Sequence, residues 1–317
     1  MRKIRYILFF AIISIIGNVS HAQQDPQLTL FMFNDLFYNP AFAGVEGVTK
    51  VSLLDRHQWI GYQPTLDDGV APTTQVLSVT TPIYRILPGT SGFGLNVVND
   101  QLGLQNNLLI NGSFSYHLGI KKSKLSLGLR FGMYSQSFGR KFRPLQPETF
   151  PGRESQVRPD MALGVFFRAE KVYAGMSFNH VLKSKFDFGL DSLSNAMENH
   201  AVITGGYVHK INFDMTFRPS VLVMTDFNQY TFIIGGYIEY KEKTNIGLSF
   251  RQSEDINLIL GYNFLKDKSL SINYSIGYVY KNQEAKNATS HELMLAYRLP
   301  VSPGGGEKIV RTPRFRH

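Results

Sequence analysis

The sequence predicts an all-β fold: a transmembrane antiparallel β-barrel of the bacterial outer membrane, with about fourteen strands and both termini in the periplasm. Three observations predict it. Apolar and small or polar residues alternate with period two through nearly the whole chain. The alternating stretches run to roughly 9–14 residues, beyond the usual globular strand and enough to cross hydrocarbon at a tilt. The connections between them switch from short to long and back, as turns and loops do on opposite sides of a membrane barrel.

The first element is a targeting segment. Arg2, Lys3 and Arg5 form a basic start, Ile7 to Gly17 is apolar, and Ser20-His21-Ala22 offers small residues for cleavage after Ala22. Residues 1–22 are therefore expected to be a signal peptide, taking the formal charge from +9 to +6 by loss of three basic residues. The chain has no cysteine, so it offers no lipid-anchor thiol, disulfide or thiolate metal site.

Residues 23–45 form the second element and contain FMFNDLFYNPAFAG, Phe31 to Gly44. Asn39-Pro40 interrupts any helix or strand through it. A segment this aromatic must pack, since burying one such side chain is worth about 1.5–3 kcal/mol. Its expected place is in or across the periplasmic mouth, with Asn39-Pro40 turning and Gly44 approaching the wall. It would serve there as a plug or as a docking surface; Phe37, Tyr38, Asn39, Pro40, Phe42 and Gly44 are the candidate contacts.

Residues 46–299 form the barrel. In KLSLGLRFGMYSQSF, Leu125, Leu127, Leu129, Phe131 and Met133 alternate with Ser126, Gly128, Arg130, Gly132 and Tyr134. SLSINYSIGYVY, DMALGVFFR and HELMLAYRL repeat the pattern, with Arg130, Arg168, Arg251 and Arg298 on the small or polar face. Strands are expected to start near residues 46, 72, 91, 106, 123, 159, 171, 200, 213, 229, 244, 255, 268 and 289. Even-numbered strands leave through tight lysine-bearing turns such as KKSK (121–124) and KDK (266–268). Several odd-numbered ones leave through longer segments, at 61–72, 139–160, 182–199 and 282–290, although the loops after strands 9 and 11 are short. At the end of the first strand, RHQWIGY holds Trp59, the only tryptophan. It suits an aromatic anchor at the membrane interface or a partner contact, with Arg56 and Gln58 pointing into the lumen and Gly61 following.

The last element, 300–317, is glycine-rich and then basic, which suits disorder or a periplasmic contact with something acidic. Lysine and arginine are otherwise dispersed, which argues against a nucleic-acid partner. Catalytic spacing is lacking. HELML has Leu295 where a zinc-protease helix needs its second histidine, and GFGLNV lacks a third glycine. His57, His117 and His180 could sit near a rim, but nothing in their spacing selects a pair with a loop aspartate such as Asp67, Asp68, Asp100 or Asp187. No loop carries the spaced acidic ligands of a calcium site. No cofactor, no metal and no small-molecule substrate is expected.

The order FMFNDLFYNPAFAG, RHQWIGYQP, APTTQVLSVTTPI and GFGLNVVNDQLG resembles the PorP/SprF family of type IX secretion membrane proteins. The later GLRFG, PDMALGVFF and SHELMLAYRL extend the resemblance over the mature chain. Asp35 stands where that family's pattern more often has proline. The resemblance implies a non-enzymatic Bacteroidetes outer-membrane barrel of the secretion and gliding machinery. Its partners would be outer-membrane lipid with a secreted adhesin's C-terminal domain, or with periplasmic ring and peptidoglycan-binding components. A passive pore is the alternative that the alternation alone allows; an outer-membrane enzyme is the weaker one.

Overall fold

The alternation resolves into fourteen strands in a computed structural model, which describes residues 25–62, 70–83, 91–138, 155–186, 195–265, 268–281, 283 and 286–299. In chain order these are β1 (Lys50–His57), β2 (Thr73–Ile83), β3 (Ser91–Leu102), β4 (Gln105–Ile120), β5 (Ser123–Phe138), β6 (Ser155–Arg168) and β7 (Val172–Asn179). There follow β8 (His200–Tyr207, resumed after Val208 by His209–Lys210), β9 (Met215–Thr225), β10 (Tyr230–Tyr240), β11 (Thr244–Arg251), β12 (Asp255–Phe264), β13 (Leu270–Val279) and β14 (Thr289–Arg298). Each strand pairs antiparallel with its sequence neighbours. β14 returns to β1, with Arg298 opposite Lys50 and Met294 opposite Leu54, so the sheet closes and has no free edge. Each strand begins within four residues of its expected start.

The wall obeys the period-two rule. Leu53, Phe93, Phe131, Met176, Ile246 and Leu258 are exposed on the outside and form the apolar band that meets lipid. Ser52, Asn96, Ser115, Asn257 and Asn273 alternate with them and are buried inside. Tight turns at Lys121-Lys122 and at 241–243 mark one mouth, which the topology makes periplasmic. The long connections lie at the other. Much of their length, at 63–69, 139–154 and 187–194, falls outside the described residues, as do the targeting segment and the basic tail. The turn after β3 is also short on that side, being only Gly103-Leu104.

Residues 25–45 fill the lumen. They fold as a 3-10 turn at Phe31–Phe33, one helical turn, α1 (Asp35–Tyr38), and a second 3-10 turn at Pro40–Phe42. The breaks follow from local chemistry. Asn39 is extended (φ −136°, ψ 116°) as a residue before proline must be, and its Oδ1 caps the next turn by accepting the Ala41 N–H at 2.9 Å. Leu28, Leu30, Phe31, Phe37 and Tyr38 pack on inward-facing apolar residues, among them Leu54, Val76, Val98, Leu222, Ile259 and Met294.

Candidate functional site

The path of the segment inside the barrel is set by wall side chains that take up its backbone polar groups. The Glu292 carboxylate accepts the N–H of Thr29 and of Leu30, each at 2.8 Å. Arg56 donates to the Gln27 carbonyl, and Arg251 to Thr29 Oγ1 at 2.9 Å. On the opposite wall Arg130 donates to the Phe37 carbonyl at 2.9 Å, Ser177 to that of Tyr38 at 2.7 Å and Ser115 to that of Ala43. Asn39 donates outward to the carbonyl oxygens of Val165 (2.9 Å) and Met176 (3.3 Å). Buried main-chain groups must find such partners, and these polar side chains of the inner face supply them.

Close approach is made possible by glycines on the inner face. Gly44 has φ +69°, and a Cβ placed on it would lie 2.6 Å from the Cα of Gly92. Gly128 and Gly164 likewise give way to the backbone of Ala41 and the side chain of Asn39.

The segment also runs further than the periplasmic mouth where it was expected. Val45 and Glu46 lie at the short-turn end, but Asp25 reaches the opposite mouth. There its Oδ1 is 2.9 Å from His180 Nε2 and its Oδ2 3.2 Å from His200 Nδ1. His180 follows the last residue of β7 and His200 opens β8, both on the long-loop side. The anchors at Arg56, Arg251 and Glu292 hold residues 27–30 in that half and cause the difference.

The ten candidate residues fall into two groups that the structure does not bring together. Phe37, Tyr38, Asn39, Pro40 and Phe42 are buried against the wall, with Gly44 among them. Arg56 is buried in the lumen, 3.7 Å from Glu292. Gln58 is half-buried beside it, its N–H donating to the Pro72 carbonyl at 2.9 Å. Trp59 turns the chain with φ +49° and donates Nε1–H to Glu254 Oε1 at 3.0 Å, while Lys286 Nζ lies 5.0 Å above its ring. Trp59 therefore braces the long-loop mouth by polar contacts. Gly61 has φ +85° and abuts Asn287, whose Nδ2 donates to the Ile60 carbonyl at 2.7 Å.

Two features escaped the sequence reading. One is the Asp25–His180–His200 cluster, whose members lie far apart in the chain. The other is a cavity of about 580 Å³ at the short-turn mouth, lined by Asp35, Glu46, Arg168, Tyr173, Arg218 and Tyr237 among others. Burial pushes the Asp35 carboxyl up to about 7, with Glu46 adding to the rise and Lys50 and Arg168 opposing it. Burial would also raise Glu46, but Lys50 (3.2 Å) and Arg298 (3.2 Å) overcome it and hold that carboxyl at about 2. Among the remaining rim candidates, His117 is buried with Nδ1 2.8 Å from Ser126 Oγ, and His57 is exposed beside Asp55.

The sequence matches the family described as type IX secretion system membrane protein PorP/SprF over residues 20–297. The chain belongs to that family. It is an outer-membrane barrel of the type IX secretion system. No curated protein matches the sequence. Among solved structures, the toluene transporter TbuX of Ralstonia pickettii aligns at 12% identity and TM-score 0.51, over 83% of this chain and 92% of its own. A FadL homologue of Pseudomonas aeruginosa aligns at 13% identity and TM-score 0.47, over 82% of this chain and 93% of its own. At such identity the likeness to TbuX is one of fold alone.

Proposed function

We propose that this PorP/SprF barrel acts as a closed docking platform in type IX secretion. It helps to export or anchor a secreted surface adhesin by binding the adhesin's C-terminal domain. The observation that carries this reading is the filled lumen: residues 25–45 occupy it, and a cavity of about 580 Å³ sits at the short-turn mouth. That cavity mixes aromatic side chains (Tyr173, Tyr237) with both signs of charge (Arg168, Arg218, Asp35, Glu239), a composition suited to a polypeptide. Coupling to periplasmic ring or peptidoglycan-binding components would use the same mouth. Phe37 and Tyr38 support such a site from behind, since they fix the plug that floors it.

Deletion of the gene is expected to remove one large surface protein, or gliding, while other outer-membrane proteins remain. Retention of all surface proteins and of motility would overturn the reading. A passive pore would instead give a large, steady conductance in planar bilayers; the plugged barrel is expected to give none.

A further inference from the structure

At the long-loop mouth, Asp25, His180 and His200 bring one ligand atom each to within 4.8 Å of one another. His180 Nε2 lies 2.9 Å from Asp25 Oδ1 and His200 Nδ1 lies 3.2 Å from Asp25 Oδ2, so a single carboxylate faces both imidazoles, one through each oxygen. His180 Nδ1 lies 3.0 Å from Asp160 Oδ1, which orients the ring so that Nε2 faces Asp25. Both nitrogens of His200, a residue only 5% exposed, have no aligned hydrogen-bond partner. Asp226 Oδ2, also buried without a partner, belongs to a side chain that lines a small cavity together with Asp25 and His200. A second cavity of about 30 Å³, lined by Asp25, His180, Glu198 and His200, has room for one water.

We propose that His180 Nε2, His200 Nδ1 and the Asp25 carboxylate form a zinc-class divalent metal site, with Asp160 as the positioning residue behind His180. Two imidazoles with one carboxylate select a borderline, nitrogen-preferring ion over calcium or magnesium. Small cavities at the cluster leave space for a water or a further carboxylate as fourth ligand. Asp25 belongs to the plug and both histidines to the wall, so the metal would tie the start of the plug to the rim of the barrel. The proposal rests on the plug geometry and stands independently of the docking reading.

The test uses the full-length protein in detergent, stripped with EDTA and titrated with Zn²⁺ in a calorimeter. One equivalent is expected to bind, and metal is expected to raise the temperature at which the barrel loses its heat-modifiable gel migration. Asp25→Asn and His200→Ala should abolish the tight equivalent, and Asp160→Asn should weaken it by about 10–100-fold. Asp25→Asn changes only the plug, so it keeps the test alive should His200→Ala fail to close the barrel. X-ray absorption of the zinc-loaded wild type needs no variant and should show two imidazoles among light-atom ligands. Absence of a tight equivalent, its persistence in Asp25→Asn, or an absorption spectrum without imidazole would each overturn the proposal.

Discussion

A buried carboxylate inside a barrel is expensive unless it is paired and hydrogen-bonded. Glu292, 1% exposed, meets both conditions by receiving two plug N–H groups and facing Arg56. Glu292→Ala would leave Arg56 and the Thr29 and Leu30 amides without that partner, so a loss of about 3–5 kcal/mol is expected. Thermal loss of heat-modifiable migration measures it, and trypsin should then reach the N-terminal segment. Asp35 carries the opposite sign. Its folded value of about 7 exceeds the 3.8 of an ordinary aspartate, so the native state holds the proton more tightly than the unfolded chain. Stability from this group is full below about pH 4, declines as pH rises, and is gone once pH passes 7. Asp35→Asn should remove that slope, with melting temperatures of variant and wild type diverging most above pH 7. A parallel pH dependence of the two proteins would refute this assignment.

The plug and the wall are separate elements joined by aromatic burial. Phe37 and Tyr38 meet edge to face at 4.8 Å, and Tyr38 is only 2% exposed. Replacing both by alanine should destabilise the plugged state by at least about 3 kcal/mol. The hydroxyl adds to this, since it accepts the Leu28 N–H at 2.9 Å. Reduced barrel stability marks the pair as plug residues, whereas lost secretion from an equally stable barrel would make them docking residues. The strands were legible because each carries its own period-two record, down to Gly128 and Arg130 on the inner face of β5. Asn39-Pro40 and Gly44 were legible as a turn and a close approach because those residues restrict the backbone locally. The route through the lumen was not, because it depends on pairs such as Thr29 with Glu292, 263 residues apart. The apolar girdle of Leu54, Val76, Val98 and Met294 left a trace as interruptions of the polar face, but the sequence does not say what covers them. The His180–Asp25 pair, 155 residues apart, was hidden for the same reason.

At the scale of the whole molecule, the question is whether the barrel needs what it contains. The fourteen-strand ladder closes through β1 and β14 without help from the plug, and its outer band meets lipid whether or not the lumen is filled. Excising residues 25–45 would expose Arg56, Arg130, Arg251 and Glu292 to water admitted to the lumen, where solvation replaces the lost plug contacts. The inner apolar girdle would become wet, which weakens the barrel without opening its seam. The truncated chain is therefore expected to insert and to migrate as a heat-modifiable barrel with a lower transition temperature. It should conduct in planar bilayers where the full chain does not, since a barrel of this size is then water-filled. Secretion of the client should fail as well, because the floor of the short-turn cavity, Met32, Phe33, Asp35 and Phe42, leaves with the segment. A truncated barrel that conducts and still supports secretion would assign the segment to sealing alone. One that neither inserts nor closes would make residues 25–45 part of the folding core, and the wall and its contents would then be a single unit.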